Sequence, residues 1–209
     1  MQLTVHTFLT VDGVMQSPGG ADEDTSGGFS HGGWLVPLVD QDFGEIVTSW
    51  FSRTEAILLG HKTYRDMYGY WSKITDPDDI VAAKLNGQHK YVAASTLRDP
   101  QWQPTTVLSG DVVEQVRQLK QQPGGELQVH GSAQLAQALH RAGLVDEYRL
   151  LVFPVTVGNG KRLFTGDAPA CGYTLADSRT TPAGVVYSVL RPRPFESGRV
   201  ELPDGGQAS

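Results

Sequence analysis

The chain has 209 residues, a formal net charge of −6 at pH 7 and a single cysteine, Cys171. One cysteine excludes a disulfide framework and a zinc site built from several thiolates. No run of Lys and Arg exceeds two residues, so we expect no nucleic-acid partner, because such partners need a basic face. No apolar run approaches the roughly 20 residues of a membrane span, and the N-terminus lacks a signal-peptide pattern. We therefore expect a cytoplasmic protein without a membrane partner.

A strand and a long loop are predicted first. The apolar, β-branched run from Leu3 to Val11 is typical of a buried strand. Its periodicity stops at Gly13, and the segment 13–33 contains seven glycines and the acidic cluster 22–24. Long loops in compact domains are usually functional or disordered, so one of these two outcomes is expected here.

Helices and strands then alternate along the chain. Apolar residues at helical spacing predict a helix from Asp42 to Arg53, with Asp40 or Asp42 as its N-cap. The continuous apolar run 56–59 predicts a strand that is covered on both faces. Further helices are predicted at 61–70 and 80–85, after Asp111 and after Ser132, with strands at 91–94, 106–108 and 127–129.

The C-terminal part departs from this alternation. A long strand is predicted at 148–157, followed by strands at 173–175 and 185–190 that pair as an antiparallel hairpin. We therefore predict one α/β domain over residues 1–191, with a mixed, mainly parallel central sheet that ends in this hairpin. Residues 192–209 are rich in proline and glycine and are predicted to form a loosely attached tail.

Three strand–helix junctions carry glycine or hydroxyl residues, at 60–63, 95–96 and 131–133. Each one alone is more often a packing turn or a local cap. Together they would lie outside the carboxyl ends of parallel strands, where α/β proteins bind ligands and where helix N-termini attract anions. Their combination predicts one extended phosphate-bearing ligand, such as a dinucleotide. Neither a Gly-x-Gly-x-x-Gly pattern nor a phosphate loop is present.

Five segments together resemble a known family. They are 3–13 with its ending Val11-Asp12-Gly13, then 58–64, 91–97, 129–133 and 153–164. In order and spacing they are similar to the dihydrofolate reductase-like proteins. The closer branch is related to the C-terminal reductase domain of the bifunctional riboflavin biosynthesis deaminase/reductase. The resemblance covers about residues 3–190 and implies a three-layer α/β/α fold.

The resemblance also implies that the chain binds NADPH. His61 to Thr63 would follow the adenosine-phosphate and pyrophosphate side, and Ser95 and Thr96 would lie beside the 2′-phosphate. Gly131 to Ala133 would let the pyrophosphate and the nicotinamide ribose approach the backbone. The implied cofactor residues are Gly60, His61, Lys62, Thr63, Ser95, Thr96, Gly131, Ser132 and Ala133.

The substrate side is predicted from fewer signals. By the same resemblance the loop 13–33 covers the nicotinamide, and Trp34 lines an apolar wall beside it. Asp12 and Asp40 are the candidate proton donors, and Lys161 is the candidate contact for a ribose phosphate. Simpler roles stay open, since Asp40 suits a helix cap, Asp12 suits a turn and Lys161 suits a solvated surface. The six histidines show no metal-ligand spacing, so no metal is expected.

Two functions remain open from the sequence. The first is an NADPH-dependent reductase that transfers a hydride to a small polar heterocycle, imine or carbonyl substrate. Folate is disfavoured, because Gly44 interrupts the match to the helix that carries the pterin-binding carboxylate in folate reductases. The alternative is a non-catalytic nucleotide-binding or ligand-sensing protein of the same fold. A homodimer is expected in either case, paired through the strand 148–157 and the final hairpin.

Overall fold

The computed structural model describes residues 1–199, which form eight strands and five α-helices. The strands are β1 (Gln2–Thr10), β2 (Thr54–Gly60), β3 (His89–Ala93), β4 (Thr105–Leu108), β5 (Glu126–His130), β6 (Glu147–Phe153), β7 (Gly172–Thr180) and β8 (Val186–Arg193). The helices are α1 (Gln41–Ser52), α2 (His61–Trp71), α3 (Ile80–Gly87), α4 (Val112–Gln121) and α5 (Ala133–Arg141). No helix within residues 1–199 is long and apolar enough to cross a membrane.

All eight strands join one sheet in the order β4-β3-β2-β5-β1-β6-β8-β7. The pairings from β4 across to β6 are parallel, whereas β8 runs antiparallel to both β6 and β7. This arrangement confirms the predicted α/β fold with a mainly parallel sheet and an antiparallel end. The carboxyl ends of six parallel strands consequently lie along one edge of the sheet.

Alternate side chains of each strand pack against different helical layers. In β2, Ala56 and Leu58 pack in the core beneath α4 and α5, which contribute residues such as Val116 and Leu139. Their neighbour Ile57 points the other way and packs beside α1, α2 and α3. Successive strand side chains face opposite sides of a sheet, so one continuous apolar run supplies both cores. The predicted three-layer arrangement follows from this.

Several predicted boundaries are wrong. β6 ends at Phe153 rather than at residue 157, because Pro154 has no N–H to donate to a neighbouring strand. The first strand of the hairpin is longer than predicted and spans Gly172–Thr180. β8 continues through Arg193, which is two residues into the predicted tail. Residues 194–199 have no regular structure, and the remainder of that tail lies outside the described residues.

A buried ion cluster links β5 to β6 across the intervening β1. Arg149 in β6 donates through both terminal nitrogens to Glu126 in β5, at 2.9 and 2.8 Å, and through Nε to Glu147 at 2.8 Å. The Arg149 side chain is 1% exposed. At the surface, Arg53 and Arg191 add a further cation to Glu126 and to Glu147 respectively. Two buried carboxylates therefore share one fully buried guanidinium.

Replacing Arg149 tests how much this cluster stabilises the fold. We expect Arg149→Met to lower the free energy of unfolding by about 3–5 kcal/mol, because Glu126 and Glu147 then lose their buried counter-ion. The matched control is Arg191→Met, which removes an exposed partner of Glu147 and should cost less than about 1 kcal/mol. Urea unfolding followed by circular dichroism measures both. Equal losses in the two variants would contradict this account.

Candidate functional site

The three predicted junctions lie on neighbouring strands at one edge of the sheet. In the parallel register, Gly60 of β2 pairs with Ala93 of β3, and Leu58 of β2 pairs with Val129 of β5. The segments that follow β2, β3 and β5 therefore begin at nearly the same level. The fold places the junctions 60–63, 95–96 and 131–133 along one rim, with 60–63 in the middle.

Ser132 connects two of these junctions. The Gly60 N–H donates to Ser132 Oγ at 2.8 Å, and Ser132 Oγ lies 2.7 Å from Thr63 Oγ1. The two hydroxyl groups carry two protons, and their mutual hydrogen bond uses one of them. Whichever oxygen is the donor, one O–H remains for a ligand. The contact thus holds β2–α2 against β5–α5 and still presents a free donor.

Gly60 and Gly131 are required by the closeness of this contact. A Cβ on Gly60 would lie 2.2 Å from Ser132 Oγ, which is well inside van der Waals distance. Gly131 has φ +67°, and a Cβ there would lie 3.1 Å from Thr63 Cγ2. Both positions therefore favour glycine, one for space and one for space and backbone conformation.

The N-termini of α2 and α5 face this contact without side-chain caps. The N-cap residues are Gly60 and Ser132, and neither makes a side-chain capping hydrogen bond. Backbone N–H groups in the first turn of a helix have no intrahelical partner and attract anions. Two uncapped helix starts that are joined through one serine suit a ligand with two adjacent phosphates. The rim therefore fits the pyrophosphate of a dinucleotide.

The junction after β3 carries a cation that sequence reasoning missed. Ser95 and Thr96 are exposed at this rim, and the Arg98 guanidinium donates to the carbonyls of Ser95 and Leu97, both at 3.2 Å. Within residues 1–199, Arg98 makes no ion pair with a carboxylate. An arginine three residues after Ser95 was a signal visible in the sequence.

Lys62, the cation predicted to contact a phosphate at this rim, makes its contacts with protein groups instead. Its Nζ donates to Asp66 at 2.5 Å and to the Glu23 carbonyl at 2.8 Å. Lys62 therefore ties α2 to the glycine-rich loop 13–33. The two remaining predicted cofactor residues are His61 and Ala133. His61 is half-buried at the start of α2, whereas Ala133 is buried in the hydrophobic core.

The glycine-rich loop is folded over the end of β1 by buried polar side chains. Gln16 Nε2 donates to the carbonyls of Asp24 and Ser26, and its Oε1 accepts from the Lys161 N–H. Ser17 Oγ accepts from the Asp24 N–H at 2.9 Å. These hydrogen bonds give the loop a defined conformation. Gln16 was also missed, since a single glutamine in a loop carries no periodic signal.

Asp24 lies between two lysines that come from opposite sides of the loop. Lys161 Nζ is 2.6 Å from its carboxylate, and Lys62 Nζ is 4.0 Å away. Burial alone would raise the pKa of Asp24, but hydrogen bonds from Lys161 and Ser26 lower it to about 2. Lys161 also lines a cavity of about 280 Å³ between this loop and the turn 159–161.

Asp12 joins the end of β1 to the chain after β6. It accepts from Thr10 Oγ1 at 2.6 Å and from the N–H groups of Val157 and Gly158 at 3.3 and 2.8 Å. These hydrogen bonds, with that of Thr10 the largest contribution, lower the pKa of Asp12. Asp12 is therefore a carboxylate at neutral pH, and its geometry supports the turn role over proton donation.

Asp40 is the N-cap of α1. One carboxylate oxygen accepts from the Phe43 N–H at 2.8 Å, and the other accepts from the Ala183 N–H at 2.9 Å. The Phe43 and Ala183 hydrogen bonds lower the pKa of Asp40. Its geometry supports the capping role that the sequence left open, and it places Asp40 against the β7–β8 hairpin.

Trp34 lies in an aromatic wall beside β6. Its indole Nε1 donates to the Gln16 carbonyl at 2.8 Å, and its ring packs edge-on against Phe153 at 5.5 Å between centroids. Phe8 and Phe43 complete the group, 5.6 Å apart and each about 6 Å from Phe153. The side of the rim next to α1 is consequently apolar and aromatic.

A buried hydrogen-bonded chain runs from the ion cluster to the rim. Gln128 donates to Glu126 at 2.7 Å and accepts from Thr54 Oγ1 at 2.6 Å. Its Oε1 is 3.0 Å from His130 Nε2, and an amide oxygen can only accept, so His130 carries its proton on Nε2. Burial and the charge of Arg149 lower the pKa of His130 to about 3, which keeps it neutral.

His6 packs against His130 with ring centroids 4.9 Å apart. Burial, together with the neighbouring His130, lowers the pKa of His6 well below its ordinary value. Its Nδ1 has no hydrogen-bond partner among the described residues. Two neutral histidines therefore lie side by side beneath the junction 131–133.

Other parts of the molecule carry weaker signals. A larger cavity of about 510 Å³ lies between α2, α3 and the segment 101–103, and none of the predicted site residues lines it. Within residues 1–199, no group of three or more His, Cys, Asp or Glu side chains is arranged to hold a metal ion.

Comparison with known proteins gives three kinds of match. The family described as the RibD C-terminal domain matches residues 1–187. The uncharacterized protein YyaP of Bacillus subtilis (strain 168) is 29% identical over 184 residues, which cover 87% of this chain and 89% of that protein. A putative riboflavin biosynthesis protein from Shewanella sp. PV-4 is similar in structure, with a TM-score of 0.65 and 17% identity over 92% of this chain and 99% of that chain. RibD from Acinetobacter baumannii has a TM-score of 0.62 and 14% identity, over 92% of this chain and 58% of that chain.

The two buried histidines make stability depend on pH. Because the folded-state pKa of His130 is about 3, the unfolded chain binds more protons below pH 6.5, and stability is lost as the pH falls from 6.5 towards 3. Below pH 6 this histidine should contribute a loss of about 1.4 kcal/mol per pH unit. We expect His130→Gln to flatten the pH dependence of urea unfolding between pH 7 and 4.5. Replacement of the exposed His31 by Gln should leave the wild-type slope, and an unchanged slope in His130→Gln would contradict the assignment.

Proposed function

This chain belongs to the family of the RibD C-terminal domain, and we propose that it is an NADPH-dependent reductase acting on a small polar heterocycle, imine or carbonyl. The observation that carries this proposal is the hydrogen-bonded contact of Ser132 with Gly60 and Thr63. That contact joins two uncapped helix N-termini and leaves one hydroxyl proton free. A pyrophosphate needs N–H and O–H donors of this kind, and the two glycines leave room for it.

The polar groups at the junction after β3 support NADPH as the cofactor. Thr63 and Ser132 would hold the pyrophosphate, while Ser95, Thr96 and Arg98 would hold the 2′-phosphate on the same rim. A guanidinium that has no carboxylate partner within residues 1–199 suits a phosphate, because it can donate two parallel hydrogen bonds. When bound, NADPH supplies a hydride from its nicotinamide ring. Lys62 would then hold the glycine-rich loop rather than the cofactor, since its ammonium group forms an ion pair with Asp66.

The substrate side lies beneath the glycine-rich loop. Phe8 and Phe43, which are half-buried, would pack against a planar substrate and exclude water, and the buried rings of Trp34 and Phe153 support them from behind. Asp12 and Asp40 are ionised at neutral pH, so neither supplies the proton that accompanies hydride transfer. We therefore propose water as the proton source.

Asp12 and Asp40 also bear on the alternative function, a protein that binds a nucleotide without catalysis. With both predicted acids occupied by structural hydrogen bonds, a nucleotide-binding protein without catalysis remains the competing candidate. NADPH oxidation across a panel of pterins, pyrimidines and aldehydes separates the two. Binding of NADPH without oxidation of any panel member would favour the non-catalytic protein.

We propose a homodimer through β7, at the edge of the sheet; the predicted contact through the strand 148–157 is wrong, because β6 pairs with β1 on one side and with β8 on the other. β7 is an outer strand, and it carries Leu175 at 57% exposure. An outer strand has unpaired backbone groups that a second chain can satisfy. A light-scattering mass near 22.7 kDa would show a monomer and contradict this.

Thr63→Val tests the pyrophosphate site. The substitution keeps the shape of the side chain but removes the hydroxyl that positions Ser132 Oγ, so we expect the NADPH Kd to rise about tenfold, because the remaining Ser132 O–H is no longer held towards the pyrophosphate. Quenching of tryptophan fluorescence on titration with NADPH measures the Kd. Thr174→Val, an exposed position on β7, is the matched control and should bind like the native protein. Absence of NADPH binding by the native chain would overturn the proposed function.

Arg98→Gln tests the preference for the 2′-phosphate. We expect the Kd for NADPH to rise about 10- to 100-fold and the Kd for NADH to stay unchanged, since only NADPH carries the group that Arg98 would contact. Arg117→Gln on the surface of α4 is the control for a lost arginine charge. Equal weakening of both cofactors in Arg98→Gln would show that this arginine does not recognise the 2′-phosphate.

A further inference from the structure

We propose that Asp24 determines substrate specificity: it neutralises Lys161 at the substrate side, so that the site selects a substrate without a phosphate group. This inference rests on the proposed function and narrows its substrate class. Its starting point is the cavity of about 280 Å³ beneath the glycine-rich loop, which Lys161 lines together with Gln16, Ser26 and Phe29.

Lys161, the cation that lines this cavity, already has an acidic partner. Lys161 Nζ lies 2.6 Å from Asp24 Oδ2 and also donates to Ser26 Oγ at 2.8 Å. Lys62 approaches the other oxygen of Asp24 at 4.0 Å. A phosphate that entered the cavity would have to break these ion pairs and would lie beside a carboxylate of like charge.

Arg162, the next cation along the turn, is held in a similar way. Its guanidinium donates to the Gly158 carbonyl at 2.8 Å and lies 3.7 Å from Asp12. Asp12 in turn is fixed by backbone N–H groups of the same turn. Lys161 and its neighbour Arg162 are therefore both paired with carboxylates.

Asp24 is fixed in the loop by hydrogen bonds of both its backbone and its side chain. Its N–H donates to Ser17 Oγ, and its carbonyl accepts from Gln16 Nε2 at 2.8 Å. The carboxylate accepts from both the N–H and the hydroxyl of Ser26. Gln16 and Ser17 are buried, and the Asp24 side chain is 13% exposed. A residue held through its backbone and its side chain is a permanent counter-ion, not one that a ligand displaces.

The cofactor side of the rim has the opposite character. Its donors are backbone N–H groups, the hydroxyls of Thr63 and Ser132, and Arg98, which has no carboxylate partner within residues 1–199. The chain thus leaves donors free where phosphates of a dinucleotide are proposed, and it cancels positive charge where the substrate is proposed. This contrast assigns an uncharged heterocycle or carbonyl compound to the substrate side.

Asp24→Asn tests the inference, because it removes the charge and keeps the size of the side chain. The probe is ribose 5-phosphate, with ribose as its uncharged counterpart, titrated by calorimetry at constant ionic strength and without cofactor. We expect Asp24→Asn to bind ribose 5-phosphate about tenfold more tightly than the native protein, with ribose unaffected. Asp22→Asn, an exposed acid of the same cluster, is the matched control and should show no gain. The double variant Asp24→Asn/Lys161→Gln should lose the gain, which separates Lys161 from phosphate sites elsewhere on the rim.

A folded Asp24→Asn protein that binds ribose 5-phosphate no more tightly than the native chain overturns the inference. If the loop does not fold in that variant, Lys161→Gln alone decides the question. We expect it to leave binding of ribose 5-phosphate unchanged, and a tenfold loss would show that Lys161 already serves a phosphate in the native protein. These titrations contain no cofactor, so a failure of NADPH binding would refute the proposed function without affecting their outcome.

Discussion

The buried guanidinium of Arg149 is the interaction on which the geometry of the site depends. Arg149 reaches from β6 across β1 to Glu126 in β5, and so fixes the relative position of three adjacent strands. Glu126 continues through Gln128 to His130, the last residue before the junction 131–133. A buried charge is costly unless its partners are well placed, so this cluster tolerates little movement. The position of Ser132 at the rim is thereby coupled to ion pairs deep in the sheet.

The two sides of the rim, which we propose for cofactor and substrate, use polar groups for different purposes. On the cofactor side, the hydrogen bonds of Ser132 still leave one hydroxyl proton and the first-turn N–H groups of two helices for a ligand. On the substrate side, Asp24 and Asp12 hold the nearby cations in internal ion pairs. The pair of Lys161 with Asp24 holds the glycine-rich loop against the turn 159–161. Carboxylates pair with the cations on the proposed substrate side and so hold the loop there, whereas the donors on the proposed cofactor side stay available to a ligand.

The residues proposed for the cofactor side carry a stronger sequence signal than those proposed for the substrate side. Gly60, Thr63, Gly131 and Ser132 are near the ends of strands, and strand ends are visible as the point where an apolar run meets glycine. The substrate side depends on long-range partners instead. Lys161 and Asp24 are 137 residues apart, and Asp40 and Ala183 are 143 apart, so neither contact leaves a local pattern. Lys62 was assigned to a phosphate for the same reason, since Asp66 and Glu23 were not known to face it.

By itself the sequence determined the order of the elements, the α/β class, the mainly parallel sheet and the rim on which three junctions meet. These features follow from hydrophobic periodicity and from the rule that parallel strands end at one edge, and both are local or topological properties. Only the tertiary structure decided which charges are free. Arg98 has no carboxylate partner within residues 1–199 whereas Lys62 and Lys161 are paired, because an ion pair depends on the distance between side chains that the folded loop brings together.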